Sequence, residues 1–535
     1  MIKDKIRKDL EKACQKLGFQ VNKIVVDYPT DPRFGDYTTN LPLQQQKIDG
    51  GRSWQSPQQT AKKIVEALGK LDYLEKIEVV RPGFINFFLS KSFLQRKIAE
   101  ILEKKEKFGQ VLTRKGKKAR VEFVSANPTG PLHIGNARGG PIGDVIASVL
   151  TASGYKVLRE YLHNDIGGQV DKLGQTLVNL QKGGKLEEQE YKGTYLLELL
   201  GKIDKTNNPK TAAAKAIKIV LSEILKDCKD LGIKFDKVFQ ESDFEANITT
   251  KVLEKLKRLS VLKKKEGAVW FAPNDEYLKD REAVVMKSNG EKTYFANDIA
   301  YHDLKFSQNY NLVIDELGAG HDGHIPKLKS AISLLGHNLA KFKVIVHQNV
   351  RVKKGDQIIK MSKRAGNVVT AREVLDEVGS DAFRFFMLMY EPATHMDFDL
   401  EQATKKAADN PVYYVQYAHA RISGILKKAP KGKRFTINDL RLLNHPAELT
   451  LIKQLIRLPE IISDISQNFQ VHRLPQYAIE TATLFHKFYE QCRVISGNRE
   501  QTLARLALVR ATRIILQNTL KLIGVSAPER MSRTN

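Results

Sequence analysis

Two stretches of the chain carry residues whose types and spacing suit phosphate chemistry. The first is Glu122-Phe-Val-Ser-Ala-Asn127-Pro-Thr-Gly130-Pro-Leu-His133-Ile-Gly135-Asn136, and the second, far downstream, is Lys360-Met-Ser-Lys363-Arg364. In the first, an apolar strand over Val121 to Val124 breaks into a Pro/Gly turn, and a helix begins near His133 and runs through Leu150. Backbone N–H groups face outward at such a helix start, the helix dipole favours an anion, and Gly135 lets a nucleotide approach the backbone. The second stretch is a basic loop between Gly355 and Gly366 whose lysines can reach phosphates. Both together, in this order, predict an enzyme that handles ATP and a nucleic acid.

The elements that must position these residues follow from length and pattern. A chain of 535 residues predicts two to four domains, and 42% hydrophobic residues suffice for several cores. Lys and Arg number 87 against 61 Asp and Glu, a formal net charge of +26. Such an excess fits a polyanionic partner through counterion release, and equally a solvated basic surface. Cys14, Cys228 and Cys492 are far apart and form no CxxC pair, so neither a disulfide framework nor a cysteine zinc site is supported. The N-terminus reads as an amphipathic helix (Ile2, Ile6, Leu10, Leu17) rather than a signal peptide, and no apolar run is long enough to span a bilayer. A cytoplasmic protein is expected.

Three regions are expected. Residues 1–112 read as an α+β domain, with a turn-rich stretch around Phe34-Gly-Asp-Tyr37 and strands at Ile77–Val80 and Phe84–Leu89. Residues 120–395 alternate strand and helix, with buried β-branched runs at Asn311–Asp315 and Phe342–His347 and a helical insertion near residues 171–233. That alternation predicts an α/β domain with a Rossmann-like doubly wound parallel sheet. Residues 396–535 read as an all-α helical bundle. Tyr413, Tyr414 and Tyr417 lie at spacings that suit base stacking or core packing, and at least two of them are expected in the core.

The whole constellation resembles the class I aminoacyl-tRNA synthetases, and in detail the arginyl-tRNA synthetase family. His133-Ile-Gly-Asn136 stands where that family has its HIGH signature, and Lys360-Met-Ser-Lys363-Arg364 where it has KMSKS. The residues leading into the first signature, Asn164-Asp165, Asn410-Pro-Val-Tyr-Tyr-Val-Gln-Tyr-Ala-His-Ala-Arg421, Pro82-Gly-Phe-Ile-Asn86 and the terminal Gly524-Val-Ser-Ala-Pro-Glu-Arg-Met531 extend the likeness across the chain.

The resemblance implies arginine activation by ATP, with Mg²⁺ arriving on the nucleotide, and transfer to tRNA(Arg) by a monomer without zinc. It places His133, Gly135, Asn136, His321, Lys360 and Lys363 at ATP, with His133, Asn136, Lys360 and Lys363 acting in catalysis. It places Glu122, Asn127, Tyr294 and Asp298 at arginine, Asp298 on the guanidinium and Glu122 or Asn127 at the α-amino end. Asn86 is expected on tRNA. Asn136 departs from the signature, since an amide donates a hydrogen bond but cannot become cationic; activity is expected to persist. Alternatives stay open: Asp298 as a helix cap before Ile299, His321-Asp-Gly-His324 as metal ligands, another class I synthetase, or a catalytically silent tRNA-binding paralogue.

Overall fold

The computed structural model describes residues 1–48, 56–245, 247–279, 281–359, 369–429 and 436–531. Lys360, Lys363 and Arg364 lie outside the described residues. The chain opens on helix Ile2–Lys16, which buries Ile2, Ile6, Leu10, Ala13 and Cys14 on one face. That helix packs against helix Pro57–Leu68, which in turn lies on a small antiparallel sheet of β1 (Tyr37–Thr39), β2 (Leu74–Val80) and β3 (Phe84–Leu89), in the order β1-β3-β2.

The central region carries β4 (Lys118–Glu122), β5 (Lys156–His163) and β6 (Lys237–Gln240), then a small antiparallel sheet of β7 (Leu262–Lys265), β8 (Ala268–Phe271) and β9 (Ala283–Met286). β10 (Leu312–Gly318) and β11 (Phe342–His347) complete the main sheet. Its order is β11-β10-β4-β5-β6, and every pairing is parallel. The chain leaves β4 for β5 on one side and returns as β10 on the other. Such a reversal opens a crevice at the carboxyl ends of the two strands. Helices Gly168–Gln181, Tyr195–Lys202 and Pro209–Asp230 form the insertion. A third small sheet joins β12 (Val350–Lys354), β13 (Gln357–Ile358) and β14 (Met396–Asp399). β14 lies beyond residue 395 and pairs with β12, so the strand-bearing region extends to Asp399.

Beyond Asp399 the described residues are helical, with long helices at Pro411–Lys427, Arg473–Gln491 and Arg499–Leu522. The tyrosine expectation needs correction. Val412, Val415, Ala418 and Ile422 form the buried face of the first of these helices, and Tyr413, Tyr414 and Tyr417 are only half-buried. Tyr414 packs against the core. Tyr413 and Tyr417 stack on each other at 6.2 Å and 12°, one turn apart. Among the described residues no helix is long and apolar enough to cross a membrane.

Arg384, fully buried, ties the parts together. It donates to Asp144 Oδ2 (2.6 Å) on helix Gly139–Ala152, to Leu231 O (2.9 Å) after the insertion and to Ile523 O (2.8 Å) at the end of the last helix. The next residue, Gly524, has φ 67°, and a Cβ there would stand 2.3 Å from the guanidinium. Arg384→Met should therefore strip two carbonyls and a carboxylate oxygen of their donor. The expected loss is about 3 kcal/mol or more, read as a lower midpoint in thermal or urea unfolding.

Candidate active site

The crevice at the ends of β4 and β10 widens into a cavity of about 2790 Å³. Glu122, Asn127, His133, Gly135, Asn136, Tyr294, Asp298 and His321 all line it. Asn86 is elsewhere, in β3 and only 2% exposed, where its Oδ1 accepts from the Thr38 hydroxyl at 2.6 Å. Its side chain is thus held within the sheet.

The first signature is shaped by an early strand end. β4 stops at Glu122 rather than running to Val124, because Val124 and Ser125 take positive φ values of 68° and 38°. The turned backbone is held by the Ser125 hydroxyl, which donates to Glu122 Oε1 (2.9 Å) and accepts from Leu162 N (3.1 Å). His133 then caps helix Ile134–Ala137, its Nδ1 accepting from Gly135 N at 2.9 Å. An accepting Nδ1 leaves the ring proton on Nε2. A Cβ at residue 135 would stand 2.6 Å from His133 Cε1, so the capping ring itself requires glycine there. The signature also pairs with the chain that follows the second stretch: Ile134 N donates to Val369 O (3.1 Å) and Ala371 N to Leu132 O (2.7 Å). Beneath it, His347 Nε2 donates to the Gly135 carbonyl (2.9 Å) and Nδ1 meets Glu316 Oε1 (2.5 Å). Burial opposes a charge on His347, but Glu316 outweighs it and raises the ring above its ordinary value.

On the facing wall, helix Tyr294–Ser307 begins at a Thr293 cap. Asp298 lies inside the first turns, so the cap reading falls away. His302 and Lys305 follow at i+4 and i+7, on the same face. That face meets β4 and β10, where Glu122 and Asp315 are register partners. Lys305 Nζ donates to Glu122 Oε2 (2.5 Å) and Asp315 Oδ1 (2.8 Å). His302 donates through Nε2 to Asp315 Oδ2 (2.7 Å) and through Nδ1 to the Asp298 carbonyl (2.8 Å), with Asp298 Oδ1 at 3.0 Å. His324 Nε2 covers the other Asp298 oxygen.

Burial alone would raise the Asp298 carboxyl, but His302 and His324 hold it well below the usual carboxylate range. Burial and Lys305 oppose charge on His302; Asp315 and Asp298 overcome both and push it up to about 10. Burial raises Glu122, whereas Asp315, against its own burial, is lowered to about 2 by Lys305 and His302. The His302 charge thus stabilises the fold fully below 6.5, its ordinary value, and that contribution is lost as pH rises towards 10. The melting midpoint should fall across that window, and His302→Gln should flatten the fall.

The comparisons with known proteins agree along the chain. "Arginyl tRNA synthetase N terminal domain" matches residues 1–89, "tRNA synthetases class I (R), catalytic domain" residues 97–199 and 187–424, and "DALR anticodon binding domain" residues 415–531. The arginine–tRNA ligase of Citrifermentans bemidjiense is 40% identical over 534 residues, 96% of either chain. That of Moorella thermoacetica is 39% identical over 530 residues, 95% of this chain and 94% of the other. The chain belongs to the arginyl-tRNA synthetase family. The Thermus thermophilus arginyl-tRNA synthetase structure aligns over 99% of this chain and 100% of its own, with a TM-score of 0.81; at 21% identity it speaks for the fold alone.

Sequence reasoning on this arginyl-tRNA synthetase family member missed five polar residues of the site: Glu241, His302, Lys305, Asp315 and His347. Glu241 follows β6 directly and is buried in the cavity wall, its Oε1 accepting from Asn297 Nδ2 at 2.8 Å beside Asp298. Its signal was position, since the carboxyl ends of parallel strands carry ligand contacts. For Asp315 the signal was a charge inside a buried apolar run, and for His302 and Lys305 a polar stripe at i, i+4, i+7 from Asp298. His321 is exposed on the turn Ala319–His321, and His324 is turned onto Asp298. Among the described residues no three His, Cys, Asp or Glu side chains gather as a metal site.

Proposed function

We propose that this protein activates L-arginine with ATP and then transfers the arginyl group to the terminal ribose of tRNA(Arg). The observation that carries the reading is the shared cavity: a helix start capped by His133 on one wall and the carboxylate of Asp298 on the other. A guanidinium presents paired N–H donors, which a carboxylate accepts as a fork. One Asp298 oxygen accepts from His324 and the other lies 3.0 Å from His302 Nδ1, so each keeps a lone pair for such a ligand. Glu122 would hold the α-ammonium, and Glu241 would share the guanidinium.

In the first step an oxygen of the arginine carboxylate attacks the α-phosphorus, and pyrophosphate leaves with its Mg²⁺. Charge grows on the transferring phosphate and on the leaving group. The positive end of the helix dipole, the protonated Nε2 of His133, and Lys360 and Lys363 from the second signature are suited to stabilise it. In the second step a ribose hydroxyl attacks the activated carbonyl and releases AMP. No step needs a covalent bond to the protein, so positioning and electrostatics carry the catalysis.

Two features support tRNA as the acceptor. Half-buried Tyr413 and Tyr417 stack in line with exposed Arg421, whose guanidinium lies 4.4 Å from the Tyr489 ring centre, a cationic aromatic face suited to unpaired bases. The net charge of +26 suits the backbone.

His347 is expected to steady the ATP end. His347→Leu would leave Glu316 buried without its partner at a cost of about 3 kcal/mol. It would also release the Gly135 carbonyl, so the melting midpoint should fall and KM for ATP should rise. Glu316→Gln, whose amide can donate to a neutral ring, should change both far less.

ATP–pyrophosphate exchange with arginine, run with and without tRNA(Arg) and with lysine as control, tests the function. Exchange specific to arginine is expected. Tight tRNA binding without exchange under any condition would sink the reading in favour of a silent paralogue.

A further inference from the structure

The buried groups between Glu122 and Asp298 form one continuous chain of alternating charge: Glu122, Lys305, Asp315, His302, Asp298. Its inner members are almost wholly removed from water, with side chains 1% (Lys305) to 3% (Asp315, His302) exposed, while Asp298 reaches the cavity at 22%. Glu122 and Asp298 are the two carboxylates at its ends, and both line the cavity. We infer that Lys305 and His302 are positioning residues for the amino-acid substrate, fixing the charge and spacing of the two carboxylates that receive its ammonium and its guanidinium. The inference rests on the proposed placement of arginine.

The geometry of the neighbouring groups supports it. Lys305 also leans over the Tyr301 ring at 4.3 Å, and the Tyr301 hydroxyl donates to Glu160 (2.8 Å), which holds Arg120. With that pair included, the buried cluster has four carboxylates (Glu122, Glu160, Asp298, Asp315) against three cations (Arg120, His302, Lys305). His324 closes the chain on the cavity side at Asp298, so the chain presents a carboxylate to the cavity at each end. A buried ion pair of this kind is poor support for stability alone, because desolvation offsets much of its attraction. Seven charges kept in a core beside a ligand cavity therefore point to a use in binding. The chain also acts as a ruler. Both ends are pinned to one helix face and to two register-paired strands, so their separation cannot drift without breaking the chain.

The two ends can be tested apart with ligands that lack one cation each. Desamino-arginine has no ammonium, and citrulline has a neutral urea in place of the guanidinium. Wild type, Lys305→Met and His302→Gln would be compared in tRNA arginylation for KM of arginine and of ATP. The Ki of each analogue as a competitor would be measured alongside. Lys305→Met should raise KM for arginine about tenfold or more and leave the Ki of desamino-arginine and KM for ATP nearly unchanged. His302→Gln should raise both KM for arginine and the Ki of desamino-arginine by about the same factor, with citrulline nearly unchanged. Equal losses for every ligand, or losses for ATP as large as for arginine, would overturn the inference in favour of a purely structural chain. Should Lys305→Met fail to fold, His302→Gln and Asp315→Asn carry the same comparison. A wild-type enzyme that does not use arginine would instead sink the functional reading beneath it.

Discussion

Asp298→Asn should give a folded enzyme whose kcat/KM for arginine has fallen about 10²- to 10³-fold, with KM for ATP within about twofold of wild type. The side chain keeps its size, and His302 keeps its bond to the residue 298 carbonyl, so the helix should remain in place. What changes is the ligand end. An amide has one acceptor oxygen, whereas the carboxylate offers two, both already facing imidazoles. The amide nitrogen must then point its hydrogens at a donor, and a guanidinium arriving there finds no fork and no charge. Removing one side of a desolvated charged pair costs about 2–5 kcal/mol, which brackets that loss. Arginylation kinetics supply the measurement, with citrulline as a second probe. A urea offers both a donor and an acceptor and can pair with an amide, so the preference for arginine over citrulline should collapse. An unchanged KM for arginine would remove Asp298 from the site.

What the sequence revealed depended on whether the signal was local. The run Phe342–His347 is β-branched and bounded by polar residues, and β11 occupies the same residues. β4 shows the limit. Nothing in Val124 or Ser125 advertises a positive φ, since a β-branched residue disfavours it and only the later contacts of Ser125 with Glu122 and Leu162 hold it there. The signature motif located His133 but could not reveal that its ring caps its own helix. The charged chain was hidden for a different reason. A polar stripe at i, i+4, i+7 ordinarily marks a solvated helix face. Only the pairing of β10 with β4, strands separated by almost two hundred residues, turns that stripe inward onto Asp315 and Glu122. In the helical region periodicity located the helices, but which face was buried needed the neighbouring helices. Tyr413 and Tyr417 fell on the other side.

His133→Asn and His133→Ala should both lower kcat for arginyl-adenylate formation by about 10²- to 10³-fold, the scale of losing one well-placed donor to developing negative charge. They should differ in stability. Asparagine is itself a strong N-cap and can still accept from Gly135 N, so its melting midpoint should match wild type, while alanine should cost about 1 kcal/mol. The pair separates the two jobs of one ring: Nδ1 closes the helix start, and Nε2 carries the ring proton. Gly135→Ala offers the complementary test. Its methyl would meet His133 Cε1 at 2.6 Å and force the ring aside without touching its chemistry. A fall in kcat comparable to that of His133→Asn, with arginine affinity intact, is therefore expected. If Gly135→Ala instead weakened only ATP binding, the glycine would serve the nucleotide directly and the ring would not be the reason for it. Single-turnover measurement of adenylate formation with tRNA(Arg) bound distinguishes the two, because it reports the phosphoryl step apart from binding and product release.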